Sequence, residues 1–257
     1  MRIDEMIRTV TRLVPPPAVS GRHRPGDDSG IALIIVLMAV SLISALGLAL
    51  SLTTMAERTV AGTFGDGTEA FYAADAGIER AMQDLLPLLD WTDVLSGVVR
   101  STFTDGVPSG VRRGPGGQLF DLSQATNTVR CGKAVCSNAD LSASTEDRPW
   151  GSNNPVWQPY TYGRVDQLLP GGVNSELYLV VWVADDQAEN DGDPLRDGGW
   201  PAGCDPGSDP ACIDANPGRG ILRMRARAFG PGGAQRTIDA TVRRTDRVRL
   251  LSWRALR

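Results

Sequence analysis

The chain has 257 residues, a formal net charge of −4 and a single histidine, His23. This net charge is too small to indicate nucleic acid as a partner. His23 precedes the long apolar run of the chain. If the segment before that run is removed, the mature protein has no histidine, which excludes the usual Ser/His and Cys/His catalysis and His-ligated zinc. The composition therefore argues against an enzyme.

The apolar run covers residues 31–50 and contains neither a charged residue nor a proline. A helix of about 20 residues spans the roughly 30 Å hydrocarbon core of a bilayer. The preceding residues 1–30 carry five arginines, and only Arg58 follows soon after the run. The positive-inside rule therefore places residues 1–30 in the cytoplasm and the rest of the chain outside. Three alternatives stay open: a cleaved secretory signal, a plain signal anchor, and a type III signal cut between Gly30 and Ile31.

Apolar residues continue at helical spacing beyond the run to about residue 86, and Pro87 then ends or kinks the helix. The segment 62–67, GTFGDG, interrupts this pattern, because each glycine inside a helix costs about 1 kcal/mol relative to alanine. Two alternatives follow. Either one long helix is weakened here, or a first helix ends near Thr63 and a second begins near Thr68.

Three strands are predicted near the C-terminus. Residues 176–183 form a near-continuous apolar run, which is typical of a central strand. Residues 221–229 and 235–243 alternate in polarity around the turn GPGG, which predicts a hairpin with one buried face and arginines on the solvated face. With the helix, this predicts an α+β fold in which a long N-terminal helix packs on an antiparallel sheet. Residues 119–172 are polar and turn-rich and predict only an excursion with short strands.

The junction of Gly30 and Ile31, the uncharged run and the later block at residues 69–81, EAFYAADAGIERA, together resemble the N-terminal region of PilX-type minor type IV pilins. In that family an AFxAAEAG-like block follows the apolar helix, and AFYAADAG stands in its place here. The resemblance implies a pilin-like chain of three parts: a leader peptide at 1–30, a helix at 31–86 with its transmembrane part at 31–50, and a periplasmic or extracellular head domain at 87–257.

The resemblance also implies a function in filament assembly. It implies that prepilin peptidase removes residues 1–30 and methylates Ile31. It also implies that the subunit waits in the inner membrane and then primes or caps a type IV pilus or related filament, with a place at the tip. The implied partners are other minor and major pilins, prepilin peptidase, platform proteins of the inner membrane, and the lipid bilayer before assembly.

One position departs from the pattern of major pilins, which carry a glutamate five residues into the mature chain. This chain has Ile35 at that position. The glutamate is expected to neutralise the terminal amine of a neighbouring subunit, and an unpaired charge is costly in an apolar environment. Its absence favours a priming or tip subunit over a bulk subunit.

The four cysteines fall into two local pairs, Cys131 with Cys136 and Cys204 with Cys212. An even number of cysteines in an exported domain favours disulfides. Three connectivities are possible, and we expect the local one. Zinc is the alternative, although the spacing within each pair fits a zinc knuckle less well than CxxC does.

An acidic loop, DDQAENDGDP, follows the predicted central strand. Calcium binds six to eight oxygen ligands of this kind, although the loop does not match the EF-hand pattern. The alternative is a solvated acidic loop without a metal. No cofactor other than calcium is indicated. The candidate calcium ligands are Asp185, Asp186, Asn190, Asp191 and Asp193, and Asp197 and Asp205 are possible additions.

The C-terminal residues 243–257 intersperse arginines with leucines and a tryptophan. This pattern predicts the end of a strand and a tail whose leucine and tryptophan side chains dock on the same domain. The alternatives are a surface for anionic lipid, DNA or an acidic partner subunit.

Two other classes of function stay open. The first is a signal-anchored extracytoplasmic binding domain, calcium-dependent or not, that never enters a filament. The second is an exported enzyme, which the lack of histidine in a processed chain disfavours. Processing at Gly30 separates the pilin-like subunit from the binding domain.

Overall fold

The structure is a computed structural model of the chain, and it describes residues 28–168, 174–188, 192–198 and 220–256. The chain divides into two compact units, residues 1–57 and residues 58–257. The predicted leader lies outside the described residues except at its end, because the description starts at Asp28.

Helix α1 covers Asp28–Leu85 and runs through the GTFGDG segment without a break. Of the two alternatives, one continuous helix is therefore the observed one. Threonine hydroxyls along it donate to the carbonyl oxygen four residues earlier, as Thr63 does to Thr59 at 2.9 Å. The helix ends two residues before Pro87, because the residue that precedes a proline is disfavoured in the helical region.

The first part of α1 has the properties of a membrane span. Its most apolar 18-residue window has a mean hydropathy of 2.8, and none of that window is buried. The large apolar side chains from Ile31 to Leu52 are exposed. Length and apolarity thus agree with the predicted transmembrane part.

An antiparallel sheet forms the centre of the second unit, and its five strands follow one another in chain order. Ile221 pairs with Arg243 and Phe229 pairs with Gln235, so the predicted C-terminal hairpin is confirmed with the turn at its expected place. The strands are β3 (Gln158–Arg164), β4 (Tyr178–Asp185), β5 (Ile221–Phe229), β6 (Gln235–Arg244) and β7 (Val248–Leu256).

Apolar clusters cover both faces of this sheet, and β4 is buried at every position. This explains its continuous apolar run, which predicts a central strand. On the first face, the helix residues Ala70, Ala74, Ile78 and Ala81 pack with Leu179, Val181, Met224 and Ile238. The second face carries Leu122, Val129, Trp157, Tyr162, Tyr178, Val180 and Trp182.

The segments between α1 and β4 supply the cover of the second face. Asp121 caps the helix Leu122–Cys131 by accepting from the backbone N–H of Ser123 at 2.7 Å. Trp182 donates its indole N–H to Thr126 of that helix at 2.9 Å. The turn-rich region thus contains helices as well as short strands. The elements between α1 and β4, apart from β3, are α2 (Thr92–Leu95), β1 (Val111–Arg113), β2 (Leu119–Asp121), α3 (Leu122–Cys131), α4 (Asn138–Ser142) and α5 (Val165–Leu168).

Candidate functional site

The AFYAADAG block brings the backbone of α1 against the central strand. A Cβ atom added to Gly77 would lie 2.7 Å from Cδ2 of Leu179 and 3.0 Å from Cγ2 of Val181. The contact with Leu179 is shorter than those of real Cβ atoms, so a larger residue at this position would displace the side chain of Leu179. Ala70 and Ala74 are fully buried on the same side of the helix. The small residues of the block therefore serve close packing of helix on sheet.

Polar and aromatic residues of the block tie the helix to distant parts of the chain. The Ser175 hydroxyl donates to Glu69 Oε1 at 2.6 Å. The indole N–H of Trp253, in β7, donates to Asp75 Oδ1 at 3.0 Å. The Phe71 ring lies edge-on to the Trp253 ring, with 5.7 Å between their centroids. The C-terminal tail is thus a full strand whose tryptophan docks on α1.

A second candidate site is a cleft of about 580 Å³, called here the arginine cleft, bordered by α3, the segment after α4 and strands β5 and β7. Its volume lies in the range of small-ligand sites. The ring of Trp157, which is 4% exposed, lies beneath two guanidinium groups, those of Arg223 at 5.5 Å and Arg225 at 5.0 Å from its centroid. Charged residues of its lining are Asp147, Arg148, Arg223, Arg225 and Arg254.

Asp239, in β6, holds two of these arginines. Arg225 donates Nε to Oδ1 at 2.6 Å and Nη2 to Oδ2 at 2.7 Å, and Arg254 donates Nη2 to Oδ2 at 3.2 Å. Burial raises the pKa of Asp239, but the hydrogen bonds and charges of Arg225, Arg254 and Arg223 together outweigh burial, and the net pKa lies below the usual value. Asp239 is therefore a carboxylate at neutral pH.

Arg223 has a different environment. Its Nη2 lies 4.0 Å from Asp239 Oδ2 and its side chain is 20% exposed. Its guanidinium makes no hydrogen bond to the described residues. Burial is the main cause that lowers the pKa of Arg223, and the nearby Arg225 and Arg254 lower it further against the effect of Asp239. An arginine remains charged in proteins, so Arg223 places a partly buried positive charge at the cleft.

The comparison with known families decides the identity of the N-terminal segment. A family profile described as PilX N-terminal matches residues 29–79. These residues therefore form a PilX-type N-terminal segment, of the kind found in type IV pilin-like proteins. The match covers the apolar part of α1 and the AFYAADAG block, so the resemblance is confirmed. No curated protein and no solved structure matches the chain.

The PilX-type segment has general consequences for this protein. Proteins of this family are structural, and their pilin domain implies contact with other pilins in a pilus. An apolar N-terminal helix in such a segment indicates membrane anchoring and association with a pilus. Gly30 and Ile31, the predicted processing residues, both lie in α1, and Ile31 and Ile35 are exposed. Processing between them stays a prediction.

The local disulfide between Cys131 and Cys136 is present at the end of α3. Gly132 adopts the left-handed conformation that lets the chain turn there, with φ of 74°. Cys204 and Cys212 lie outside the described residues, so their pairing stays a prediction.

Part of the predicted calcium site is described. Asp185 ends β4 and is buried, Asp186 follows it, and Asp193 lies farther along the loop. Asn190 and Asp191, together with Asp205, lie outside the described residues. Within the described ranges, no group of three or more His, Cys, Asp or Glu side chains is placed to hold a metal ion. Calcium binding by this loop stays a prediction.

Asp197, a possible addition to that site, makes contacts that connect distant parts of the chain. Its carboxylate accepts from the backbone N–H of Trp91 at 3.0 Å and of Gly220 at 2.6 Å, and it pairs with Arg244 at 3.5 Å. Burial raises its pKa, while the hydrogen bonds from Gly220 and Trp91 oppose that rise. These contacts tie the start of α2 to the start of β5.

Proposed function

We propose that this protein is a non-enzymatic minor pilin that primes or caps a type IV pilus or related filament after cleavage between Gly30 and Ile31. The observation that carries the proposal is the PilX N-terminal match over residues 29–79, which includes this junction and the apolar run after it. Its partners are then minor and major pilins, prepilin peptidase and platform proteins of the inner membrane.

The apolar part of α1 supports two successive environments for the subunit. Before assembly it lies in the bilayer, where burial stabilises it by about 25 cal/mol for each Å² of apolar surface removed from water. Association with other helices in lipid gains little from that effect and depends on close packing of small residues. Ala39, Ser41 and Gly47 are such residues in α1.

Ile35 supports a place at the end of a filament. Inside the filament, each subunit must neutralise the charged terminal amine of a neighbouring subunit. An isoleucine has no carboxylate that could do this. A priming or tip subunit avoids that cost where no neighbour inserts its amine. Ile35 thus supports the tip location that we propose, with the head domain in the periplasm before assembly.

The test is the mature N-terminus of the membrane-bound protein, determined by mass spectrometry with and without prepilin peptidase. We expect a methylated Ile31 that appears only when the peptidase is present. Gly30→Val should abolish this product because it changes the cleavage junction, whereas Gly47→Val, in the same apolar helix, should leave it unchanged.

Two results would overturn the proposal. An intact Met1 in the presence of the peptidase would make the protein a signal-anchored extracytoplasmic binding domain. A chain that starts near Ser51 would make it a secreted protein. Hydrolytic activity of the purified protein would contradict the non-enzymatic part of the proposal.

A further inference from the structure

The arginine cleft lies outside the PilX-type segment, and the proposed function does not use it. Four arginines line it, and the carboxylates that oppose them are Asp147 in the lining, Asp239 beside it and Asp186, whose charge acts on Arg223. The local balance of charge is therefore positive, in a chain whose net charge is −4. A concave surface with this charge favours an anionic ligand.

Most guanidinium groups of the cleft are already bound. Arg225 uses two donors on Asp239. Arg148 donates to the carbonyl oxygens of Asp140 at 3.0 Å and Leu141 at 2.7 Å. Arg223 makes no hydrogen bond to the described residues, and Arg254 makes one and is 65% exposed. The donors that remain for a ligand belong to Arg223 and Arg254.

Arg223 is held in position before any ligand arrives. Its guanidinium lies over the buried ring of Trp157, 5.5 Å from the ring centroid, and its Nη2 lies 4.0 Å from Asp239 Oδ2. A side chain fixed in this way loses little conformational entropy on binding. The fork of Arg223 is therefore preorganised for a planar oxyanion.

We propose that the arginine cleft binds a carboxylate side chain of an acidic peptide segment in a partner protein, held by Arg223 and Arg254. The same cluster already binds one aspartate carboxylate, that of Asp239, through the fork of Arg225. At the rim, Trp150, which is 41% exposed, contacts the apolar atoms next to the bound carboxylate.

A planar carboxylate matches the planar guanidinium fork of Arg223. A phosphate accepts from the same kind of fork, and an acidic sugar ring stacks on an exposed aromatic face such as that of Trp150. Both anions are therefore competitors of the peptide in the experiment.

The experiment uses the full-length protein in nanodiscs and isothermal titration with a terminally blocked peptide of glycines, two glutamates and one aspartate. We expect this peptide to bind, and its glutamine and asparagine counterpart to bind at least about tenfold more weakly. Binding should weaken as salt is raised. Arg223→Gln should weaken peptide binding by about tenfold or more, and Arg223→Lys should weaken it by less. Arg243 is exposed and lies outside the cleft, so the control variant Arg243→Gln should bind the peptide as the native protein does.

Several results would overturn the proposal. The proposal is wrong if the acidic peptide does not bind at millimolar concentration, or if the uncharged counterpart binds equally well. It is also wrong if both Arg223→Gln and Arg254→Gln bind the peptide with native affinity. Binding of trigalacturonate or inorganic phosphate in place of the peptide would reassign the cleft to those ligands. Thermal unfolding is measured for each variant, and Arg223→Lys and Arg254→Gln decide the question if Arg223→Gln does not fold. None of these results depends on N-terminal processing, so the proposal fails or stands separately from the pilin function.

Discussion

Gly77 shows how one residue of the PilX-type segment controls the packing of helix on sheet. Gly77→Ala should lower the free energy of unfolding by about 1–3 kcal/mol, because the new Cβ atom displaces Leu179 and Val181 of the central strand. Gly62→Ala is the matched control: it lies in the same helix, and an added Cβ there meets nothing within 4 Å. It should stabilise the helix by up to about 1 kcal/mol. Chemical unfolding of both variants measures this, and equal effects would contradict the packing argument.

At the scale of elements, regular alternation in the sequence predicted β5 and β6 well. Their buried face and their turn are local properties, and the continuous apolar run likewise predicted β4 as the central strand. The burial of the second face of the sheet was not predicted. Arginines at alternate positions predicted a solvated face, but Arg223 and Arg225 are mostly buried, because α3 and its neighbours cover that side. The residues that bury this face come from a turn-rich region, and only tertiary contacts place them against the sheet.

The cross-strand pair of Arg225 in β5 and Asp239 in β6 makes the sheet sensitive to pH. The pKa of Asp239 is lowered in the folded state, so its contribution to stability is complete above the unfolded pKa of about 3.9 and is lost as the pH falls through the folded value. Asp239→Asn should cost about 3 kcal/mol at pH 7, because it leaves partly buried arginines without their carboxylate. The difference in the free energy of unfolding between Asp239→Asn and the native protein should become smaller as the pH falls.

Thermal unfolding between pH 7 and pH 2 measures this effect. Asp246→Asn is the control, since Asp246 pairs with Arg249 on the surface where both side chains are more than half exposed. It should change stability little, because exposed ion pairs are weak. A constant difference between native protein and Asp239→Asn across the pH range would contradict the electrostatic origin of the effect.

At the scale of the whole molecule, the two candidate sites differ in how far the sequence revealed them. The PilX-type segment was predicted because its apolar run and its AFYAADAG block are each continuous stretches of sequence. The arginine cleft was not, because Trp157, Arg225 and Arg254 come from separate strands and loops. The only hint in the sequence was the alternation of arginines in residues 221–229. The sequence alone does not show that their guanidinium groups stack on an aromatic ring.

The two compact units predict that residues 58–257 fold without the apolar part of α1, because all residues of both apolar clusters lie in this range. A chain that begins at Arg58 should be water-soluble and should unfold cooperatively near the temperature of the full-length protein. A chain that begins at Arg80 lacks Ala70, Ala74 and Ile78 and leaves the first sheet face uncovered, so it should aggregate or unfold without cooperativity. Circular dichroism during heating distinguishes the two, and aggregation of the longer chain would show that the head needs the membrane part of α1.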